Sequence, residues 1–424
     1  MVHVGVSHEG IPDYPLKKLD NGYVVPDASV AELRRYHGRQ VRNSIETSVA
    51  AEDLGYDYAV HSEHHSSLLA SVQPNPILTH TAIASRTEEI RLLQMANILP
   101  WHEPVRLAEQ TAMLDHISDG RAEVGVGRGF GAFAADTLGQ YWGGTAQDQV
   151  RNRRSFEEKF EILKRAWTED FVSFQGEFHR IPTSYTEHEN NQEFHYLMDD
   201  VSEYAPDDFM QVDGPTTTLR SLPVLPKPLQ DPHPQLWKPG LSNLSVEWAA
   251  SQGMNVCTHL FEFTDVRDLV SAYHDAAEEA GWPDHRPEYD GEPFRRGWDE
   301  RRRRGLATIL PVFNTEIADE DTIERWKLGK ELSQSRRKAS AGPRKIDEFE
   351  IDVDEYLASG DTPIYGDAEE IIDRIATFRE VCGYEDLFVI VHFESYGTTH
   401  EEHLDQLRAF AEDVRPYFEE RSTS

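Results

Sequence analysis

The chain has 424 residues, 38% of them hydrophobic, with 76 acidic residues against 42 basic ones and a formal net charge of −34 at pH 7. A chain this acidic repels nucleic acid and anionic membrane surfaces, and no apolar run reaches the roughly 18 residues a membrane span needs. Its first residues, MVHVGVSHEG, read as a strand and lack the basic and apolar regions of a secretion signal. The expectation is a soluble, cytoplasmic protein with a large core. The acid is spread along the whole chain, which suits high salt, where screening acts over about 3 Å at 1 M; a halophilic source is expected. Cys257 and Cys382 lie beside apolar residues and outside any Cys-x-x-Cys, so both read as small core residues rather than a disulfide framework.

In chain order, Val2 to Val6 is a first strand ending at Ser7-His8-Glu9, followed by a polar stretch with Pro12, Pro15 and Pro26 that is long enough to be a lid. A helix on Val41, Ile45 and Val49 closes at Leu54-Gly55, and the strand Tyr58 to Val60 runs into His61-Ser62-Glu63-His64-His65. Pro76 opens a helix through Ile77 and Ile83. The apolar run Leu92 to Leu99 follows, then Pro104 at a first helical turn, where its missing N–H costs nothing. Leu107, Thr111, Leu114 and Ile117 recur at helical spacing until Asp119-Gly120, where glycine accepts a left-handed C-cap. The strand Ala122 to Val126 ends in Gly127-Arg128-Gly129, and two strands joined by such a crossover helix must be parallel neighbours.

A glycine-rich loop and a helix on Phe156, Phe160, Leu163 and Trp167 come next. Residues 183–222 form an acidic tract of low hydrophobicity that breaks the alternation and reads as an insertion. The rhythm resumes with a strand Gln235 to Pro239, the turn Gly240 to Ser242, and a helix through Val246, Ala249 and Ala250 to Gly253. Strand Asn255 to Leu260, a helix capped by Asp265 and ended by Gly281, strand Leu306 to Phe313, a charged helix over 320–338, a helix on Ile371, Ile375 and Phe378, strand Leu387 to Phe393 and a helix on Leu404, Leu407, Phe410 and Val414 complete the chain. Eight strands alternating with helices, several of them continuous apolar runs, predict an α/β fold, a (β/α)8 TIM barrel with an insertion between strands 4 and 5. Residues 1–424 are expected to form a single domain.

In such a barrel the site lies at the C-terminal ends of the strands. Those ends carry His8 and Glu9, Glu63, His64 and His65, Asn97, Arg128, Gly240 and Ser242, His259, Asn314, and His392 and Glu394. Adjacent residues on an extended chain point opposite ways, so at most one imidazole of the His64-His65 pair faces the pocket squarely; the plain alternative is that both hydrogen-bond loop backbone. Arg128, between two glycines, presents a rigid fork suited to phosphate, against the plain alternative of a solvated arginine. The turn from Gly240 through Ser242 to Ser245 opens a helix, where N–H groups and hydroxyls make an anion site; ordinary N-capping by Ser242 is the alternative there. The Arg301 to Arg304 run reads as solvated or paired with acids.

The stretch from Arg91 to Phe130 resembles the bacterial-luciferase-like flavin monooxygenase family. Leu99-Pro100, Pro104-Val105-Arg106, Met113-Leu114-Asp115 and Gly127-Arg128-Gly129 stand in the family's order. The resemblance implies reduced FMN, bound diffusibly at the barrel mouth after delivery by a separate flavin reductase, and reaction with oxygen to oxidise a small organic substrate. It implies that Arg128, Ser242 and Ser245, with Gly240 in the same turn, hold the phosphate. It places Met95, Ala96 and Asn97 under the ring, at a position where relatives often carry a non-proline cis peptide, and His64 beside the ring in oxygen chemistry, with His65 next to it. A homodimer or higher homo-oligomer is expected by the same resemblance. Leu241 replaces an acidic residue of the luciferases proper, so their aldehyde reaction is not implied, and Phe130-Gly131 replaces a bulkier polar pairing.

Two other readings stand beside this one. Hydride transfer with the deazaflavin F420 uses the same fold, but the longer acidic tail of F420 needs more basic residues than this chain offers. A metal-dependent barrel hydrolase could be built from His64, His259 and His392 with Glu63, yet the first strand lacks the His-x-His of a prepared metal cluster.

Overall fold

The computed structural model describes residues 2–8, 12–65, 72–129, 148–182, 211–213, 216–218, 221–259, 262–282, 296–340, 352–383, 387–393 and 396–420. Contacts gather these into two compact units: one of Met1–Asn97, Arg121–Gly127 and Gln235–Ser424, the other of Ile98–Gly120 and Arg128–Pro234.

The first unit holds a closed parallel barrel. Its strands are β1 (Val2–His8), β2 (Tyr58–His61), β3 (Arg91–Ile98), β4 (Ala122–Gly127), β5 (Leu236–Pro239), β6 (Asn255–Thr258), β7 (Leu306–Asn314) and β8 (Leu387–His392). Each pairs with its neighbour in that order, and β8 pairs back onto β1 with Val2 opposite Leu387 and Ser7 opposite His392, which removes every open edge. Ile364–Gly366 adds a short strand beside β7 that is not among the eight expected strands.

The strands form because apolar runs buried on both faces need a partner on each side. Helices α1 (Val30–Asp53), α2 (Pro76–Ala84), α3 (Pro104–Ile117), α4 (Gln149–Thr168), α5 (Asn243–Ser251), α6 (Phe263–Ala280), α7 (Glu320–Ser340), α8 (Ala368–Cys382) and α9 (His400–Ala409) fall between and after them in the sequence. Ser29 and Glu32 close a capping box at the start of α1, Asp367 and Glu370 one at α8, and Thr399 and Glu402 one at α9. Gly281 and Gly383 end α6 and α8 in left-handed conformation, as the glycine positions predict. The cap of α6 is Glu262, without a side-chain bond, and Asp265 sits inside the first turn, where it meets the positive end of the helix dipole.

The face of α1 differs from the expected one. Gln40, Asn43, Ser44, Thr47, Ser48 and Ala51 are buried, whereas Val41 is 44% exposed. The two buried serine hydroxyls are satisfied on their own helix, Ser44 donating to the Gln40 carbonyl and Ser48 to that of Ser44, both at 3.0 Å. The stretch after β1, expected as a lid, includes an antiparallel pair, Leu16–Lys18 with Val24–Pro26, in which Leu16 and Val24 pack with Leu328 and Leu332 of α7.

Within the second unit, Leu107, Thr111 and Leu114 of α3 are buried, as are Phe156, Phe160, Leu163 and Trp167 of α4. The left-handed end of α3 is taken by Asp119 (φ 54°) and Gly120 (φ 77°). The reason for Met113-Leu114-Asp115 is visible here: Asp115, fully buried, accepts from the Gln230 backbone N–H at 2.8 Å and from its Nε2 at 2.6 Å. Lys159 donates to the carbonyls of Leu99 (3.3 Å), Pro100 (2.8 Å) and His102 (2.7 Å), and burial pulls its pKa down to about 8. Of the acidic tract 183–222, the paired strands Gln211–Asp213 and Thr216–Thr218 and the end at Leu222, bridged to Val172, are described; residues 183–210 lie outside the described residues.

Candidate active site

Side-chain alternation along the strands sorts the barrel interior into levels. At the N-terminal end His3, Tyr58, Trp237, Trp298 and Phe388 form an aromatic plug, with Trp298 and Phe388 centroids 4.6 Å apart and Tyr58 and Phe388 4.8 Å apart. Beneath it Glu123, 0% exposed, accepts from Arg91 Nε (2.6 Å), Arg303 Nε (3.1 Å), the Tyr58 hydroxyl (3.0 Å) and Trp237 Nε1 (2.5 Å). A cleft of about 400 Å3 opens at this end, among Glu52, Asp57, Arg91, Glu300 and Arg303. It is the wrong end for barrel chemistry, and its arginines are engaged with Glu123, so it belongs to the architecture of the closed end.

The C-terminal end is built of small or polar groups. Alternation from Glu123 brings Gly125 and Gly127 inward, from Trp237 brings Pro239, from Ile390 brings His392, and Ala96 lies in the interior cluster. A Cβ at Gly125 would collide with the Gln94 carbonyl oxygen, so only glycine lets β4 approach β3 this closely. The Met95–Ala96 peptide bond is cis, at the strand position where the family resemblance places one. The aromatic plug thus stands at the N-terminal end, and the residues brought inward where the strands end are small or polar.

The turn after β5 supplies an anion site. Gly240 donates to the Cys257 carbonyl (3.0 Å), and a Cβ there would come within 2.7 Å of Val256 and 2.8 Å of Val246, so the turn is tight against β6 and α5. Ser242 occupies the N-cap of α5 but its side chain makes no capping bond, which removes the ordinary capping alternative. Ser245, in the first turn, accepts from Lys238 Nζ at 2.5 Å; that ammonium also donates to the Pro239 carbonyl (3.2 Å) and lies 5.9 Å from the Trp248 ring centroid. Lys238 escapes a reading by periodicity because it sits inside an apolar strand, and its one signal is a charge two residues before the turn.

The remaining expected residues are placed as follows. His64 is exposed, its backbone N–H donating to the Gln73 carbonyl at 2.8 Å and its ring making no hydrogen bond with a described residue. His65 Nε2 meets the buried Glu63 carboxylate at 2.8 Å, so Glu63 anchors the second imidazole and leaves the first available. Asn97 is fully buried and His392 Nδ1 lies 3.3 Å from the Ser7 carbonyl. Arg128, in the second unit, is half-buried and makes no hydrogen bond or ion pair with a described residue; burial, with Arg153 nearby, lowers its pKa while Glu157 opposes the shift. It stays cationic throughout the working range. The loop from Phe130 and the residues Glu9 and Glu394 lie outside the described residues. Among the described residues no group of three His, Cys, Asp or Glu side chains converges as a metal site, which is what the hydrolase reading requires. Both cysteines are buried thiols with raised pKa values, Cys382 to about 12.

The fold and the candidate site define a closed parallel (β/α)8 barrel, plugged at its N-terminal end and carrying an uncapped helix start beside Lys238 at the other. The pattern of the luciferase-like monooxygenase family matches residues 22–192 of the chain. It is 26% identical over 388 residues to an FMNH(2)-dependent dimethylsulfone monooxygenase of Pseudomonas putida, covering 88% of this chain and 90% of that one. Monooxygenase RslO1 of Streptomyces bottropensis shares the fold with a TM-score of 0.68 at 21% identity, over 98% of this chain and 100% of its own. So does the oxygenating constituent of 3,6-diketocamphane monooxygenase of Pseudomonas putida, solved in complex with FMN, with a TM-score of 0.62 at 20% identity over 98% of each chain. The first curated relatives are matched over about half their length, 50% and 42%.

Proposed function

We propose that the protein is a flavin-dependent monooxygenase that uses reduced FMN and O2 to oxidise a small organic substrate. Reduced flavin would supply two electrons, so that one oxygen atom enters the substrate and the other leaves as water. The observation that carries this reading is the uncapped start of α5, where Ser242 is free of a capping role and Lys238 stands against Ser245. A phosphate at that point gains N–H donors, a hydroxyl and a nearby cation together. The sequence resemblance assigns the same phosphate to Arg128, and the absence of a bonded partner among described residues suits that assignment.

Met95, Ala96 and Asn97 would face the ring, and the small residues at the strand ends leave space for it. His64, its ring unengaged while Glu63 holds His65, would accept or donate a proton at the reacting oxygen. We further read the 424 residues as one domain with 183–222 inserted in it, acting in the cytoplasm as a homo-oligomer beside a flavin reductase; no described helix is long and apolar enough to cross a membrane.

Anaerobic titration with reduced FMN and with reduced F420, followed by absorbance, tests the reading. The protein is expected to bind FMN at least about tenfold more tightly, a difference of about 1.4 kcal/mol; tighter F420 binding, with turnover unaffected by removal of oxygen, would replace the monooxygenase by a hydride-transfer enzyme. The net charge of −34 supports adaptation to high salt. A urea midpoint that rises between low and molar salt agrees with that adaptation, and one that stays put contradicts it.

A further inference from the structure

His392, at the end of β8, has no part in the reading above, yet the strand fixes which way it turns. Phe388 lies in the aromatic plug and Ile390 in the interior cluster, so the next residue of that alternation, His392, turns inward. Phe393 turns the other way, its ring centroid 6.1 Å from that of His403 on α9 and 6.0 Å from that of Phe410. The register completes a row of inward positions across five strands. Leu93 on β3 is opposite Val60 on β2, Val60 opposite Ser7 on β1, Ser7 opposite His392, and His392 opposite Pro311 on β7. In that row Ser7 and His392 alone carry a hydrogen-bonding side chain.

His392 Nδ1 lies 3.3 Å from the Ser7 carbonyl, which can only accept, so in the neutral ring the proton is on Nδ1. Nε2 is left as a bare acceptor, and it makes no hydrogen bond with a described residue. On β2, His61 turns outward to His80 of α2, at 2.9 Å, so its successor Ser62 turns inward. The Ser62 hydroxyl is buried and has no hydrogen-bond partner, an arrangement that is costly until something meets it. The inward polar groups of β8, β1 and the end of β2 therefore share one sector of the wall. In the closed ring of eight strands β1 stands opposite β5, whose turn carries the anion site from Gly240 to Ser245.

We propose that this polar sector takes the substrate, across the mouth from the phosphate, and that His392 Nε2 is its specificity-determining acceptor, receiving a hydrogen bond from an O–H or N–H of the substrate. The inference rests on the flavin reading above. An acceptor without a proton discriminates against a molecule whose polar atoms only accept, such as an ether. Leu93, Val60 and Pro311, which flank the pair in the row, favour an apolar body for the rest of the substrate. The Ser7 carbonyl acts through the ring as its positioning group, because it holds the proton on Nδ1 and so keeps Nε2 bare.

The test uses the protein loaded with reduced FMN, without oxygen, and two pairs of probes that differ by one donor: phenol against anisole, and cyclohexanol against methoxycyclohexane. Isothermal titration is expected to show the hydroxyl member of at least one pair binding about tenfold or more tightly. His392→Phe, which removes the acceptor and keeps a ring, should abolish that preference, and His392→Gln, which restores an acceptor, should recover part of it. Nitrogen-15 spectra of histidine-labelled wild type at pH 8, where an ordinary imidazole is neutral, provide a readout on the unaltered protein. The His392 signals, identified by their absence from the spectrum of His392→Gln, are expected to be those of the Nδ1–H tautomer, with Nε2 shifting when the preferred hydroxyl probe is added. An Nε2–H tautomer, or a preference that survives in His392→Phe, overturns the acceptor role. Failure of the wild type to load with reduced FMN overturns the flavin reading beneath, and with it this inference, whereas a loaded protein that discriminates within neither pair overturns the inference alone.

Discussion

Replacing Glu123 by alanine is expected to lower the unfolding free energy by about 3 to 5 kcal/mol, the largest single effect in the protein. The carboxylate is wholly buried and is shared by two guanidinium groups, a phenol and an indole. Its removal takes from Arg91 and Arg303 the carboxylate they share, and strands the Tyr58 hydroxyl and the Trp237 N–H inside the barrel. Glu123→Gln keeps an acceptor for those neutral donors and loses only the charge, so it should fall between wild type and alanine. Urea unfolding decides the matter: a Glu123→Ala protein within about 1 kcal/mol of wild type, the range of an ordinary surface substitution, contradicts this view of the closed end.

Acid is expected to have the second large effect. Burial holds His61 and His274 down at about 4 and His403 at about 3, each far below the ordinary 6.5. Between those values the unfolded chain binds protons that the folded one refuses, so stability is intact above pH 6.5 and falls as the pH drops toward 4. Each ring contributes a slope of about 1 kcal/mol per pH unit once the unfolded histidine is charged. Carboxylate protonation relieves the self-repulsion of an acidic chain and works in the opposite direction, but it sets in mainly below pH 5. Urea midpoints measured from pH 6.5 to 5 therefore isolate the histidines. A steady fall is predicted, and a flat profile contradicts the burial of these rings as neutral groups.

The barrel was legible because its strands are buried on both faces and so spell continuous apolar runs, with turn glycines at Gly120, Gly281 and Gly383 closing the helices. What escaped was polar. Glu123 hides within Ala122 to Val126, and its four partners come from distant positions that no local pattern joins. On α1, Val41 looks like core while Ser44 and Ser48 look like surface. The opposite holds because these short hydroxyls bond to their own helix backbone and so can be buried. Of the expected site, Gly240, Ser242 and Ser245 do form one helix start, and Met95, Ala96 and Asn97 do lie together at a strand end. Lys238 beside Ser245 is a consequence of packing that appears only when the strands and helices are assembled.

The most direct test of the flavin reading is equilibrium binding, without oxygen, of reduced FMN against reduced riboflavin, which carries the same ring but no phosphate. Binding of FMN tighter by about two orders of magnitude, lost in Arg128→Ala and in the Ser242→Ala/Ser245→Ala double variant, is the predicted outcome. Equal affinity for the two flavins, or an FMN affinity unmoved by those substitutions, would contradict it.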